Sequence, residues 1–306
     1  MTPHPPLTGL IAAPYTAFHS DGSLNLALIE KQAASLLLND VAGAFVCGTT
    51  GEGVSLTLSE RMQVALRWQE VAGANLRVIV HVGHTCLAEC RALAAHAQKI
   101  GAAGVGCLSP FFFKPANAGD LAAFCAEVAA AAPALPFYYY QIPSMTGVSI
   151  SAADFLRAAA PRIPNLAGVK FTHENLMDFA ECLRLEDGRY DIVFGRDEIL
   201  LAGLSLGARG AIGSTYNFLA PAFNELLAAF ASNYLSAARE KQAEINAAIS
   251  IFVRYGGLIA GKAMMKMIGL DCGPVRLPLC SLSEQRQAKL HSELERVFFF
   301  DLCSKV

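Results

Sequence analysis

The chain has 306 residues, 54% hydrophobic and 16% charged, with a formal net charge of -2. An isoelectric point near 6.4 and the lack of any Lys/Arg cluster leave no electrostatic footprint for nucleic acid or an anionic membrane surface. Mean hydropathy is +0.38, yet the most apolar window, 121–140, is broken by Glu127, Pro133 and Pro136, so it cannot supply the roughly 20 uninterrupted residues of a spanning helix.

The opening MTPHPPLTGL has no basic stretch followed by an apolar one, which argues against secretion. Nine cysteines, an odd count without CxxC, point to reduced thiols and a cytoplasmic location. Cys86 and Cys90 are four apart and expected on one helix face. Zinc, with His81 and His84 nearby, is the sharper reading of that pair. No second ligand pair follows, and two structural thiols are the simpler reading.

In chain order, a strand is expected at 10–15 and a helix at 24–38, starting after Ser23. Strand and helix then alternate: 43–48 and 58–71, 78–83 and 88–100, 104–108 and 121–132, 136–142 and 154–160. The beat continues with 167–171 and 176–183, 191–194 and 199–206, and a last strand at 211–213. The strands lack period-2 alternation, as burial on both faces of a parallel sheet requires. Beyond Phe218 the pattern is helical, at 222–231, 235–255, 259–267 and 282–298. This reads as an α/β protein, a (β/α)8 TIM barrel over 1–218 with a C-terminal helical extension over 219–306, packed on the barrel and on neighbouring subunits. An open dinucleotide-binding sheet would want GxGxxG after the first strand, where this chain has APYTAFHSDG.

Reactive groups in a barrel belong at the C-terminal ends of its strands. Lys170, in LAGVKFTH, is the one lysine of nine inside an apolar strand-like run. A buried lysine loses its proton readily and becomes a nucleophile towards carbonyls; the plainer alternative is a lysine reaching from a strand end to solvent. Tyr140 ends PFYYYQIP and shares a face with Tyr138, while Tyr139 points the other way. Tyr138 and Tyr139 read as core aromatics, and Tyr140 as a phenol able to shuttle protons. GTTGEG, residues 48–53, sets Thr49 and Thr50 among glycines, which suits a small carboxylate or an ordinary capped turn. Asp197 and Glu198 suggest hydrogen bonds to a polyhydroxyl substrate; a divalent metal lacks a third acid nearby. A glycosidase pairing of Glu52 with Glu198 ranks below these readings. His173 reads as a loop residue.

GTTGEG with SER, HVG, SPFFFKP, YYYQIP, GVKFT, GRDE and GAIGSTYN, in this order, resemble the N-acetylneuraminate lyase / dihydrodipicolinate synthase family of class I aldolases, over about residues 9–279. AAAPALPFYYYQIPSMTGV is similar to the sialate-lyase branch, and Met145 stands where the dipicolinate synthases carry an arginine. The resemblance implies a lyase that reversibly cleaves N-acetylneuraminate to N-acetylmannosamine and pyruvate, or a related reaction on another 2-keto acid. It implies Lys170 as the Schiff-base lysine, Tyr140 as the catalytic tyrosine, and Thr49 and Thr50 on the pyruvyl carboxylate. Thr172, Gly195, Asp197, Glu198, Gly213 and Ser214 match positions that bind the sugar. It further implies no metal or organic cofactor, a small-molecule substrate and a homotetramer. Phe112 replaces a tyrosine that in many relatives reaches a neighbouring site. Arg196 is a further departure, and its charge could recruit a second substrate carboxylate.

Overall fold

The computed structural model describes residues 5–306; residues 1–4, where the expected barrel unit and the segment read for secretion begin, lie outside them. Strands β1 (Gly9–Ala12), β2 (Gly43–Val46), β3 (Arg77–His81), β4 (Gly104–Leu108), β5 (Phe137–Gln141), β6 (Leu166–Phe171), β7 (Asp191–Phe194) and β8 (Gly210–Gly213) close a parallel barrel in chain order. Between them run α1 (Leu28–Leu38), α2 (Leu58–Ala72), α3 (Leu87–Lys99), α4 (Ala118–Ala129), the single turn α5 (Pro143–Thr146), α6 (Ala152–Ala159), α7 (Leu176–Arg184) and α8 (Leu200–Leu206). After β8 come α9 (Ala220–Ala231), α10 (Leu235–Arg254), α11 (Leu258–Met267), α12 (Glu284–Glu295) and α13 (Phe299–Leu302). The chain is a TIM barrel with C-terminal helices. Among the described residues, no single helix is long and apolar enough to cross a membrane.

Strand alternation sorts the tyrosines. Tyr138 and Tyr140 face inward with Ile11, Phe45, Ile79, Val193 and Ile212, filling the barrel. Tyr139 faces outward, its ring 4.3 Å from that of Phe155 on α6. The Tyr138 hydroxyl is satisfied at the barrel floor, donating to Asp191 Oδ2 at 3.0 Å. The same oxygen accepts from the Leu7 amide at 2.8 Å, and the buried Leu7, just before β1, stops that end.

Three local expectations change. Helix α1 begins at Leu28, not after Ser23, because Ser23 is drawn into a turn on Asp21 and Leu24 bridges to Phe18. Cys86 and Cys90 stand one turn apart but in different surroundings: Cys86 is the N-cap residue of α3 and is exposed, while Cys90 is buried against the preceding loop, where its sulfur accepts from the His84 amide at 3.1 Å. The last long helix stops at Glu295, and Phe298 then adopts a left-handed φ of 57°. Other boundaries follow local chemistry. Thr57 and Glu60 form a reciprocal capping box at the start of α2, which is what the SER motif encodes.

Candidate active site

Every residue expected at the site lines one cavity of about 210 Å³ at the C-terminal ends of the strands. Lys170, Tyr140, Thr49, Thr50, Thr172, Gly195, Asp197, Glu198, Gly213 and Ser214 all face it, joined by Arg196, Thr215 and, from α10, Ile249, Phe252 and Val253. A roomier cavity of about 540 Å³ lies elsewhere, beside Phe18, Lys262 and Lys266. There Lys262 is tied to Glu52 and Lys266 to Asp271, and none of the residues expected at the site lines it.

The register explains the pairing at the bottom of the smaller cavity. Tyr140 and Lys170 are partners across β5 and β6, at one level and both facing inward. Lys170 is 3% exposed. Its Nζ lies 4.0 Å from the centre of the Phe45 ring and 4.1 Å from that of Tyr140. Burial lowers its pKa to about 7, with Asp197 opposing the shift, so a large share of the amine is neutral near neutral pH. The Tyr140 phenol is pushed up to about 12 by burial, while Thr49 and Thr172 pull it back. The Thr49 hydroxyl is 3.3 Å away. Thr172 Oγ1 makes no other hydrogen bond and is free to serve the same oxygen or a substrate.

Asp197 and Glu198, adjacent in sequence, sit in different environments. Asp197 Oδ2 accepts from the Thr215 amide at 3.0 Å and its hydroxyl at 2.6 Å, while Oδ1 is buried without a partner. Burial raises the Asp197 carboxyl above its ordinary value, and the Thr215 bonds work against the rise. Residue 213 must be glycine here, since a Cβ would stand 1.9 Å from Asp197 Oδ1. The Glu198 carboxylate instead meets Arg196 Nη2 at 2.8 Å, and Glu174 meets the same nitrogen at 2.5 Å. Arg196 is therefore committed to two acids of its own chain, which leaves little of its charge to recruit a second substrate carboxylate. His173 sits in the β6–α7 loop, paired with Glu174.

Sequence reasoning overlooked several groups. Glu52 does not face Glu198 as a second carboxylate; it is buried in an ion pair with Lys262 of α11 at 2.7 Å. Lys262 carried the same signal as Lys170, a lone cation in an apolar run (LIAGKAMM), but on a helix. Arg61 is also buried, donating to the carbonyls of Gly83 at 3.0 Å and His81 at 2.7 Å. His81 lies inside the barrel, its Nδ1 3.0 Å from the Cys47 carbonyl, and burial with the nearby Arg61 and Lys170 keeps it neutral. Among the described residues, no three His, Cys, Asp or Glu side chains are grouped to hold a metal ion.

Comparison with known proteins agrees with this geometry. The chain is 42% identical to the N-acetylneuraminate lyase of Gallus gallus over 306 residues, covering 98% of this chain and 99% of that protein. It is 42% identical to the Homo sapiens N-acetylneuraminate lyase, covering 98% and 96% of the two chains. The solved structure of Proteus mirabilis N-acetylneuraminate lyase superposes with a TM-score of 0.94 at 41% identity, covering 96% of this chain and all of that one. The model of the dihydrodipicolinate synthetase family matches residues 6–297. With nearly the whole chain inside that match, a closed eight-stranded barrel and a buried lysine beside a tyrosine at its mouth, this protein belongs to the dihydrodipicolinate synthetase family.

Proposed function

We propose that this chain is a class I aldolase, a carbon–carbon lyase that reversibly cleaves N-acetylneuraminate to N-acetylmannosamine and pyruvate. The observation that carries the reading is Lys170: a fully buried amine with its pKa lowered to about 7, level with the Tyr140 phenol. Similarity to vertebrate and bacterial N-acetylneuraminate lyases supports the choice of substrate.

In this mechanism the neutral Lys170 amine adds to the C2 ketone of the open-chain sugar acid. Tyr140, a neutral phenol at rest, protonates the departing hydroxyl, leaving an iminium on Lys170 and a phenolate braced by Thr49 and Thr172. The phenolate removes the C4 hydroxyl proton. The C3–C4 bond breaks, its electron pair flows to the iminium nitrogen, and the aldehyde and an enamine result. Protonation at C3 and addition of water release pyruvate and the free amine. The electron sink is the iminium itself, so the proposed reaction uses no cofactor. Thr49 and Thr50 take the carboxylate, and Thr172, Gly195, Asp197, Glu198, Gly213 and Ser214 take the sugar.

The direct test is pyruvate release from a panel of 2-keto acids. N-acetylneuraminate should be cleaved best; preference for a short aliphatic keto acid would replace this reading with another pyruvate lyase on the same scaffold. Asp197→Ala should lower kcat/KM for the sugar acid by about 1.5–3 kcal/mol, the worth of a hydrogen bond to a charged group, or roughly 10- to 150-fold. Glu198→Ala should cost less, because its carboxylate is shared with Arg196. Neither change should weaken borohydride trapping with pyruvate, which needs only the carboxylate end and Lys170. Equal turnover of wild type and Asp197→Ala would remove Asp197 from the sugar site.

We read residues 1–218 as the catalytic barrel and 219–306 as a helical extension, with α10 forming one wall of the cavity. Exposed apolar side chains, including Phe112, Phe113, Met145 and Leu277, support assembly into a homotetramer; sedimentation would measure it. Nine free cysteines fit a reducing cytoplasm.

A further inference from the structure

The loop that carries Thr49 and Thr50 is held from behind by a charged pair. Glu52 ends the loop with φ +53°, a left-handed conformation unusual for a residue with a side chain. Its carboxylate is 2% exposed and meets Lys262 Nζ, itself 3% exposed, at 2.7 Å. The other carboxylate oxygen accepts from the Arg276 amide at 2.8 Å. Lys262 is anchored in turn, donating to the Pro274 carbonyl at 2.6 Å and standing 4.2 Å from the centre of the Phe18 ring. The Arg276 guanidinium continues the clamp, donating to the carbonyls of Ser55 at 3.1 Å and Gly22 at 2.8 Å and pairing with Glu60. On the cavity side the Glu52 amide donates to the Thr49 carbonyl at 3.1 Å, and the Thr49 hydroxyl reaches Tyr140 at 3.3 Å. A continuous line thus runs from α11 to the phenol.

A buried ion pair is a poor device for stability, since desolvation offsets most of the attraction between its members. Its strength is direction: two charged groups that must meet in one geometry fix whatever carries them. We propose that Glu52 and Lys262 are positioning residues that set the affinity of the Thr49–Thr50 loop for the keto-acid carboxylate, an inference that rests on the aldolase reading. Neither side chain lines the cavity that holds Lys170. They act through the loop and leave the amine alone.

The experiment is borohydride trapping against pyruvate concentration for wild type and Glu52→Gln/Lys262→Met. Each single change would strand a buried charge; the double change removes both, so the fold should persist. The pyruvate concentration for half-maximal trapping should rise roughly tenfold or more, as expected when hydrogen bonds to a carboxylate lose their alignment. The trapping rate at saturating pyruvate should stay within about twofold, since Lys170 is untouched, and KM for the sugar acid should rise more than kcat falls. An unchanged half-saturation overturns the positioning role, as does a loss confined to the saturating rate. A double variant that does not fold also overturns it, because the pair would then be holding the barrel rather than the loop. Wild-type protein that pyruvate and borohydride fail to label overturns the aldolase reading itself, a separate outcome.

Discussion

Replacing Lys170 with methionine should abolish the pyruvate adduct and, at the same time, raise the thermal midpoint. Both effects come from one cause. The amine is buried against two aromatic rings, and burial lowers its pKa from 10.5 to about 7. In the unfolded chain the same amine stays protonated up to about pH 10, so unfolding takes up a proton at neutral pH. Native stability therefore falls as pH drops from about 10 towards 7, and the penalty is fully present below that. At neutral pH it amounts to roughly 3–5 kcal/mol. Methionine has nearly the same shape, no charge to desolvate, and a thioether suited to ring contacts. The variant should lose trapping completely and melt several degrees higher. Mass mapping of the wild-type adduct should place it on Lys170; an adduct on another lysine, or one that survives in Lys170→Met, would defeat the assignment. The wild-type rate of adduct formation should climb with pH through about 7, as the neutral amine accumulates.

Tyr140→Phe should reduce turnover by roughly 10²–10⁴-fold, the usual worth of a positioned acid–base group. The ring should remain where it is. It packs edge-on against Phe45 at 5.5 Å and His81 at 5.7 Å and supports the Lys170 amine, and all three contacts survive loss of the hydroxyl. What disappears is the oxygen held by Thr49. The variant should accordingly fold normally and still be trapped slowly with pyruvate, while single-turnover cleavage of the sugar acid collapses. Near-normal turnover would move the proton relay to another group, and Asp197, with its unpartnered oxygen and raised pKa, would be examined next.

The barrel was readable from sequence because its information is local. Each β-strand is an apolar run buried on both faces, each helix a periodic segment, and their alternation at a steady beat admits few architectures. The convergence of the candidate residues on one cavity was legible for the same reason: strand ends can be located without knowing how distant segments meet. What stayed hidden depends on contacts across the chain. Glu52 and Lys262 are separated by 210 positions, and nothing near either announces the other. Glu174 neutralises Arg196 from a different loop, so Arg196 looked free to take a second carboxylate when read alone. The wall formed by Ile249, Phe252 and Val253 comes from a helix whose apolar face gives no sign of what it covers. Helix α1 starts late because a turn on Asp21 competes for Ser23, a contest between two local structures that composition does not decide.

The plug of Leu7 and Tyr138 on Asp191 has a consequence for traffic. With that end stopped by described residues, traffic uses the mouth at the C-terminal ends of the strands. Whatever enters beside α10 leaves by that mouth, and a space of about 210 Å³ gives the deeper fragment little room to pass the other. The sugar fragment lies nearer the exit and is bound only by hydrogen bonds in the proposed reaction, while the three-carbon fragment remains tethered to Lys170 behind it. Departure is thus a queue: aldehyde out first, water in, pyruvate last. Run backwards, the same queue makes pyruvate the first to enter, and a free aldehyde arriving early finds no partner and stands in its path.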